Sequence, residues 1–150
     1  CPATQFRCYV DAEFGDLRGG ALVAAMRDYV ARRFAYVPGT SDSTTTALET
    51  FVRRQGVCRG FAHVLITLAR AATIPARFAS VYAPDVNPQD FHAVAEGFLD
   101  GAWHLVDATG MARQGDIAKI GIGRDAADVA LLTAFGPGNL IAQQVSVTRV

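Results

Sequence analysis

The sequence lacks two features that would point to a membrane or a nucleic acid as a partner. No apolar run reaches the ~20 residues that a membrane-spanning helix needs. An excess of charge of one sign is also missing, because 14 Lys and Arg residues balance 14 Asp and Glu residues. A balanced composition gives no net positive charge to attract nucleic acid or an anionic membrane. We therefore expect neither a nucleic-acid partner nor a membrane partner.

Cysteine is scarce, and the cysteines that are present show no pairing pattern. Cys1, Cys8 and Cys58 are odd in number and form no Cys-x-x-Cys motif. This argues against a disulfide framework and against a zinc module, so we predict neither a metal nor a cofactor. No signal peptide precedes the first residue, and the prediction for location is therefore the cytoplasm.

The chain also lacks a starting methionine. Its 150 residues, of which 51% are hydrophobic, match the size and composition of one globular domain with its own core. We interpret residues 1–150 as a single domain, and as a fragment that lacks an upstream domain of a longer protein.

Three segments have the sequence patterns of helices. Apolar residues recur every four positions in residues 19–34. A capping-box pattern starts a second helix at Thr46, which is expected to run to about Gln55. The third helix begins near Val57 and ends before Pro75. Because it is apolar on most sides, it is predicted to be a buried central helix.

Strand patterns replace helix patterns in the second half of the chain. The candidate strands are, in order, residues 76–83, 91–99, 102–109, 116–123 and 140–150. Segment 127–135 between the last two is ambiguous. Asp100-Gly101 is a strong signal for a two-residue hairpin turn between the second and third strands. Since helices come first and strands second, we predict an α+β domain with helices packed on an antiparallel sheet.

The two-residue turn sets the register of this hairpin. Leu99 then pairs with Ala102, which makes His92 and Asp107 diagonal neighbours on one face of the sheet. His104 falls on the opposite face. A carboxylate beside a histidine fixes its tautomer and stabilises its imidazolium form, so the pair is a candidate oriented base. Plainer alternatives remain: a half-buried polar histidine, and an aspartate that serves a turn.

Cys58 is the candidate nucleophile for such a pair. It lies between Gly56 and Gly60 at the start of the third helix, where unpaired backbone N–H groups and the helix dipole favour a thiolate. The same N–H groups can hold an oxyanion. A lone cysteine is more often an inert buried side chain, and the residues alone leave that alternative open. His63 lies about 140° around the helix from the thiol, which argues against a shared metal site.

Two segments carry a pattern that is shared with a known family. They are GVCRGFAHVLITLARAATIPARFASVYA at residues 56–83 and HAVAEGFLDGAWHLVDAT at residues 92–109. Their Gly-Val-Cys, Ile-Pro-Ala-Arg, His-Ala, Gly-x-Trp and Asp-x-Thr motifs, in this order, resemble the transglutaminase-like core of bacterial proteins in the papain-like cysteine-protease superfamily. The resemblance covers residues 44–109.

The resemblance implies a papain-like, transglutaminase-core fold, in which the helix headed by the cysteine packs on an antiparallel sheet. It implies Cys58 as nucleophile, His92 as general base and acid, and Asp107 as the carboxylate that orients the histidine. One difference concerns Gly60, where many family members carry an acidic residue and others carry glycine. That difference does not threaten the triad, but it alters what packs beside the nucleophile.

The function implied is acyl transfer on amide or peptide bonds through a thioester intermediate. Water as the acceptor gives a protease or amidase, which we favour, and an amine gives a protein-glutamine transglutaminase. A non-catalytic interaction domain of the same fold is the other alternative. The expected partner is a peptide or protein amide substrate, or a small amide. Loop 83–90 before His92 is interpreted either as a substrate-facing segment or as a plain surface connection.

Overall fold

The computed structural model describes residues 3–42, 44–130, 135–139 and 141–149. Within these ranges the helices are α1 (Ala3–Phe14), α2 (Gly19–Arg33), α3 (Ala47–Arg53) and α4 (Cys58–Ala71). The strands are β1 (Ala35–Tyr36), β2 (Gln55–Gly56), β3 (Ala76–Tyr82), β4 (His92–Leu99), β5 (Ala102–Val106) and β6 (Ala118–Gly123). Short 3-10 turns occupy Gln114–Asp116 and Ala126–Val129.

The strands form a four-stranded antiparallel sheet in the order β5-β4-β3-β6, and β1 and β2 pair separately in parallel. Helix α4 packs against β3 and β4 on one side and against the other three helices on the rest of its surface. The predicted α+β arrangement, with helices packed on an antiparallel sheet, is confirmed.

Helix α4 is the centre of the hydrophobic core. Leu65 and Leu68 are 1% and 0% exposed, and Met26 of α2, which packs in the same core, is 0% exposed. A helix that is apolar all round can be stable in water only when neighbours cover every face. The prediction of a buried central helix is confirmed, and this helix fixes the position of the cysteine at its first residue.

Helix α1 is a correction, because the sequence analysis predicts no helix before residue 19. Its buried residues Phe6, Val10 and Phe14 recur every four positions and pack in the core shared with α4. This spacing is the signature of an amphipathic helix. The signal is present in the sequence but short, since only three apolar positions carry it.

The start of α3 agrees with prediction and its end does not. The Thr46 hydroxyl accepts a hydrogen bond from the Glu49 backbone N–H, and the Glu49 carboxylate accepts from the Thr46 N–H, so the capping box is formed. The helix then ends at Arg53 rather than near Gln55. Arg54 adopts a left-handed conformation (φ 56°), which releases the next two residues to pair with β1.

The hairpin between β4 and β5 has the predicted register. Leu99 pairs with Ala102, and Gly97 pairs with His104. The turn residues have positive φ angles of 50° and 82°, as a two-residue hairpin turn of this hand requires. The last pair is Ala95 with Val106, so Asp107 extends just beyond the end of β5.

The segments after residue 115 agree with the predicted strands only in part. Candidate strand 116–123 is confirmed as β6, but residues 141–149 of candidate strand 140–150 form no strand, and residues 140 and 150 lie outside the described residues. The side-chain amide of Gln89 takes both backbone hydrogen bonds of Val147, so a side chain replaces a neighbouring strand. The ambiguous segment 127–135 contains part of the second 3-10 turn, and its residues 131–134 lie outside the described residues.

Candidate active site

Cys58 is the first residue of α4. Val57 before it is extended, so the helix begins abruptly and the first-turn N–H groups of α4 have no intrahelical partners. The side chain of Cys58 is half-buried at the edge of the core. The sequence-predicted placement of a thiol at a helix start is therefore what the structure has.

His92 and Asp107 lie side by side where the hairpin leaves the sheet. The distance between His92 Nε2 and Asp107 Oδ2 is 3.0 Å. Both residues are buried, with 2% and 8% of their surfaces exposed. The diagonal contact that the register predicted is thus present. His104 is exposed and lines a different cleft, one that includes neither Cys58 nor His92.

The carboxylate of Asp107 is held in place by the segment that follows it. Oδ1 accepts hydrogen bonds from the backbone N–H of Thr109 (2.8 Å) and from its hydroxyl (2.7 Å). Oδ2 accepts from the backbone N–H of Ala112 (2.8 Å) in addition to facing His92. These bonds fix the orientation of the carboxylate, and they explain why a threonine two residues after the aspartate is useful here.

The charges of the pair follow from these contacts. Burial alone would lower the pKa of His92, but hydrogen bonds to Asp107 and to Cys58, with the negative charges of both groups, raise it to about 9. Burial opposes ionisation of Asp107, yet the hydrogen bond and charge of His92 hold the pKa of that carboxyl below its usual value. At neutral pH His92 is an imidazolium between a carboxylate and a sulfur. Since Asp107 occupies Nε2, the ring nitrogen left for Cys58 is Nδ1.

Tyr36 is a neighbour of the thiol that the sequence analysis missed. The parallel pairing of β1 and β2 places Tyr36 opposite Gly56, two residues before Cys58, with its ring 5.9 Å from that of Phe61. Burial and the charge of Cys58 raise the pKa of the Tyr36 hydroxyl, and a hydrogen bond from the Cys58 backbone N–H partly offsets this. A pairing of only two residues has no recognisable sequence signature, so nothing in the pattern could have indicated this contact.

Thr50 of α3 packs against both glycines that flank the cysteine. A Cβ atom at Gly60 would lie 3.0 Å from the Thr50 hydroxyl and 3.0 Å from its methyl group, and one at Gly56 would lie 3.1 Å from the same methyl group. Thr50 is 1% exposed, and its hydroxyl donates to the Thr46 carbonyl at 3.1 Å. The absence of side chains at both positions therefore lets α3 approach the start of α4.

A cavity of about 630 Å³ opens beside the thiol. Cys58 and His92 line it, and His63 lines it further along α4. Phe91 also contributes to the lining, but no residue of loop 83–90 does. That loop instead binds the C-terminal segment through the Gln89 side chain. Asp90, at the end of the loop, is nevertheless near enough to Tyr36 for its charge to raise the pKa of the Tyr36 hydroxyl, so both interpretations of the loop stay predictions.

Two further properties concern the described residues, 3–42, 44–130, 135–139 and 141–149. No helix there has the length and apolar character needed to cross a membrane. In the same part of the chain, no group of three or more His, Cys, Asp or Glu residues is arranged to hold a metal ion.

An α+β domain with a cysteine at the start of its central helix, facing a histidine on the adjacent sheet, has the architecture of the papain-like thiol enzymes. The family model of the transglutaminase-like superfamily matches residues 14–108, and the chain belongs to that superfamily.

Individual relatives agree with this assignment. The structure of "a Putative Cysteine Protease from Cytophaga hutchinsonii" is 39% identical, with a TM-score of 0.87 over 91% of this chain. The periplasmic domain of TgpA from Pseudomonas aeruginosa is 27% identical, with a TM-score of 0.58 over 71% of this chain and 42% of its own. "Uncharacterized protein ML0607" of Mycobacterium leprae is 28% identical over an alignment of 129 positions that covers 79% of this chain.

The chain spans only about half the length of these relatives. It covers 48% of the Cytophaga protein and 45% of the mycobacterial one. Because about half of each relative has no counterpart in this chain, the activity, substrates and partners of a whole protein are matters for proposal.

Proposed function

We propose that the domain hydrolyses amide or peptide bonds through a triad of Cys58, His92 and Asp107. The observation that carries the proposal is the placement of the buried His92, which contacts Asp107 at 3.0 Å and lines the same cavity as Cys58, whose proximity helps to raise the pKa of His92. A structural histidine needs only one such partner. A histidine placed between a carboxylate and a thiol at a helix start can instead keep the thiol ionised and exchange protons with a substrate.

The first half of the proposed reaction forms a thioester. The Cys58 thiolate attacks the amide carbonyl carbon, and the carbonyl oxygen becomes an oxyanion that the Cys58 backbone N–H stabilises. The His92 imidazolium then gives its Nδ1 proton to the amide nitrogen, the C–N bond breaks, and the amine leaves. Asp107 keeps the ring in place and stabilises its charge throughout.

The second half releases the acyl group. Neutral His92 removes a proton from water, the resulting hydroxide attacks the thioester carbonyl, and the Cys58 thiolate leaves as the acid product departs. An amine in place of water would give transamidation by the same steps. We favour water because one similar structure, 39% identical to this chain, is described as "a Putative Cysteine Protease". A cytoplasmic location stays a prediction, since the TgpA neighbour is described as a periplasmic domain.

The test is alkylation of the native protein by iodoacetamide between pH 5 and pH 9, with the modified cysteine located by peptide mapping. We expect Cys58 to react at pH 6 at least about tenfold faster than free cysteine, because cationic His92 and the first-turn N–H groups of α4 both favour an anionic nucleophile at this position. Cys8, which is an exposed free cysteine, is the internal control. A Cys58 rate equal to that of a free thiol would favour a non-catalytic interaction domain instead.

A second expected result concerns Tyr36. We assign its hydroxyl as the second oxyanion donor, because β1 holds Tyr36 opposite Gly56, where the charge of Cys58 raises the pKa of the hydroxyl. A substrate carbonyl oxygen that takes the Cys58 N–H replaces the Tyr36 hydroxyl as its acceptor and leaves that hydroxyl beside the oxyanion. Tyr36→Phe is expected to lower kcat for an amide substrate by about tenfold or more, with little change in KM, since the bond forms only as charge develops. Tyr82→Phe, on β3, is the matched control. Unchanged or increased kcat in Tyr36→Phe would contradict this role.

A further inference from the structure

The cavity beside Cys58 extends away from the triad as a chamber between α4 and the sheet. Ile66 of α4, Phe78 of β3 and Ala126 form an apolar wall. His63 lies five residues after Cys58, which is about 7.5 Å further along the helix axis. His63 also lies about 140° around the helix from the thiol, and the cavity that both residues line connects the two positions. None of the steps proposed for the reaction uses this part of the cavity.

His63 presents a hydrogen-bond donor to the chamber. Its ring packs 5.2 Å from that of Phe78, and its Nε2 accepts a hydrogen bond from the backbone N–H of Ala126 (3.2 Å). A neutral ring whose Nε2 accepts must carry its proton on Nδ1. Nδ1 has no partner among the described residues, and it is not enclosed, because the one enclosed side-chain polar atom without a partner in that part of the chain is Ser41 Oγ. Among the described residues this donor is unused.

Arg59 adds a positive charge at the same place. It lines the cavity next to the thiol, and its charge acts on His63, but no carboxylate of the described residues pairs with it. The other arginines of the lining are already engaged: Arg70 donates to the carbonyls of Ala76 and Arg124, and Arg124 pairs with Asp128.

One carboxylate also belongs to the described lining, and it does not neutralise Arg59. Asp125 Oδ1 accepts the backbone N–H of Ala127 at the start of the 3-10 turn. With Asp128 counted beside its partner Arg124, three arginines face two aspartates, which leaves the chamber one net positive charge. A positive chamber with an unused donor and an apolar wall suits a ligand with a hydrocarbon stem and an anionic end.

We infer that this chamber is the subsite for the acyl residue of the substrate, and that it selects a side chain with an apolar stem that ends in a carboxylate. The carboxylate accepts from His63 Nδ1–H and pairs with Arg59, while the stem packs on Ile66 and Phe78. This inference rests on the proposed function, because the subsite is defined by its distance from a reacting thiol.

The test uses chloromethyl ketones of benzyloxycarbonyl-glutamate, -glutamine and -norleucine as labels for Cys58. In each, the thiolate attacks the methylene carbon, an S–C bond forms and chloride leaves, so the side chain alone differs. The second-order inactivation rate for each label is divided by the iodoacetamide rate of the same protein variant. We expect the glutamate label to exceed the norleucine and glutamine labels by about tenfold, the advantage of a charge-assisted hydrogen bond.

Substitutions in the chamber test which residues cause the preference for the glutamate label. Arg59→Gln is expected to reduce the glutamate-to-norleucine ratio to about one to two, and Arg59→Lys to retain most of it. His63→Leu is expected to slow the glutamate and glutamine labels relative to norleucine in protein that still melts cooperatively. Arg32→Gln, an exposed arginine on α2 outside the lining, is the matched control and should keep the wild-type ratio.

The outcomes distinguish a failure of the proposed subsite from a failure of the proposed function. Equal rates for the three labels, or a ratio that Arg59→Gln leaves unchanged, overturn the subsite, while fast iodoacetamide alkylation at pH 6 leaves the proposed function intact. If Cys58 reacts no faster than a free thiol, the proposed function and the subsite both fail.

Discussion

Cys58→Ala is expected to abolish amide hydrolysis and to leave the protein folded. Without the sulfur no thioester can form, and a residue that acts as nucleophile is not replaced by its neighbours, so the rate should fall to the background of the assay. The side chain is only half-buried at the edge of the core, so we expect a loss of stability of no more than about 1 kcal/mol. Hydrolysis of a fluorogenic peptide amide and thermal unfolding measure the two effects.

The control for this variant is Cys8→Ala, which removes an exposed thiol on α1 and should change neither quantity. Retained activity in Cys58→Ala, together with a large drop in melting temperature, would identify Cys58 as a packing residue instead. That alternative is the one the sequence left open, and this pair of measurements separates the two.

Asp107→Asn should lower kcat by a factor of about 10² to 10⁴, with a smaller effect on KM. The amide keeps the shape of the carboxylate and can still accept hydrogen bonds from Thr109, but it carries no charge to stabilise the imidazolium of His92. Asp100→Asn, in the exposed hairpin turn, is the matched control, because asparagine before glycine suits that turn equally well. A kcat within about twofold of wild type would remove Asp107 from the triad.

The pH dependence of activity provides a second test of Asp107, because the direction of its shift in Asp107→Asn can be stated. His92 has a pKa of about 9, raised from its ordinary 6.5, so its imidazolium is the main form at neutral pH and is lost as the pH rises through about 9. Activity that needs the protonated ring should therefore decline above pH 9 in the wild type. Loss of the Asp107 charge lowers the pKa of His92, so the alkaline decline in Asp107→Asn should move to lower pH. The stabilisation that the ion pair gives the fold is fully present below pH 6.5 and is lost as the pH rises from there to about 9.

The hairpin shows which part of the site the sequence could predict. A two-residue Asp-Gly turn allows one register, and that register brings His92 and Asp107 together without reference to any other element. The cysteine was equally accessible, because an apolar helix that begins at Gly-Val-Cys must place the thiol at its first turn. Both inferences depend on contacts within a short stretch of chain, where turn chemistry and periodicity decide the geometry.

The remaining parts of the site depend on contacts between distant segments. Tyr36 reaches Cys58 because Arg54 ends α3 early and frees two residues to pair with β1. No local pattern favours a left-handed arginine. The open chamber likewise requires that Ala126 lie against His63, across 63 positions of sequence. Helix α1 is a different case, since its four-residue spacing was present and simply too short to stand out.

The close packing of Thr50 on Gly60 has a consequence for how the domain can evolve. Many members of the superfamily that this chain resembles carry an acidic residue where Gly60 stands. Here a Cβ atom at that position would lie only 3.0 Å from Thr50, so the Thr50 side chain would have to shift by a few tenths of an ångström to admit it. We therefore expect a side chain at position 60 to be acquired more readily after Thr50 has been replaced by a smaller residue. In an alignment these two positions should vary as a pair, and a glutamate or aspartate transplanted at 60 should be tolerated only in a background such as Thr50→Gly.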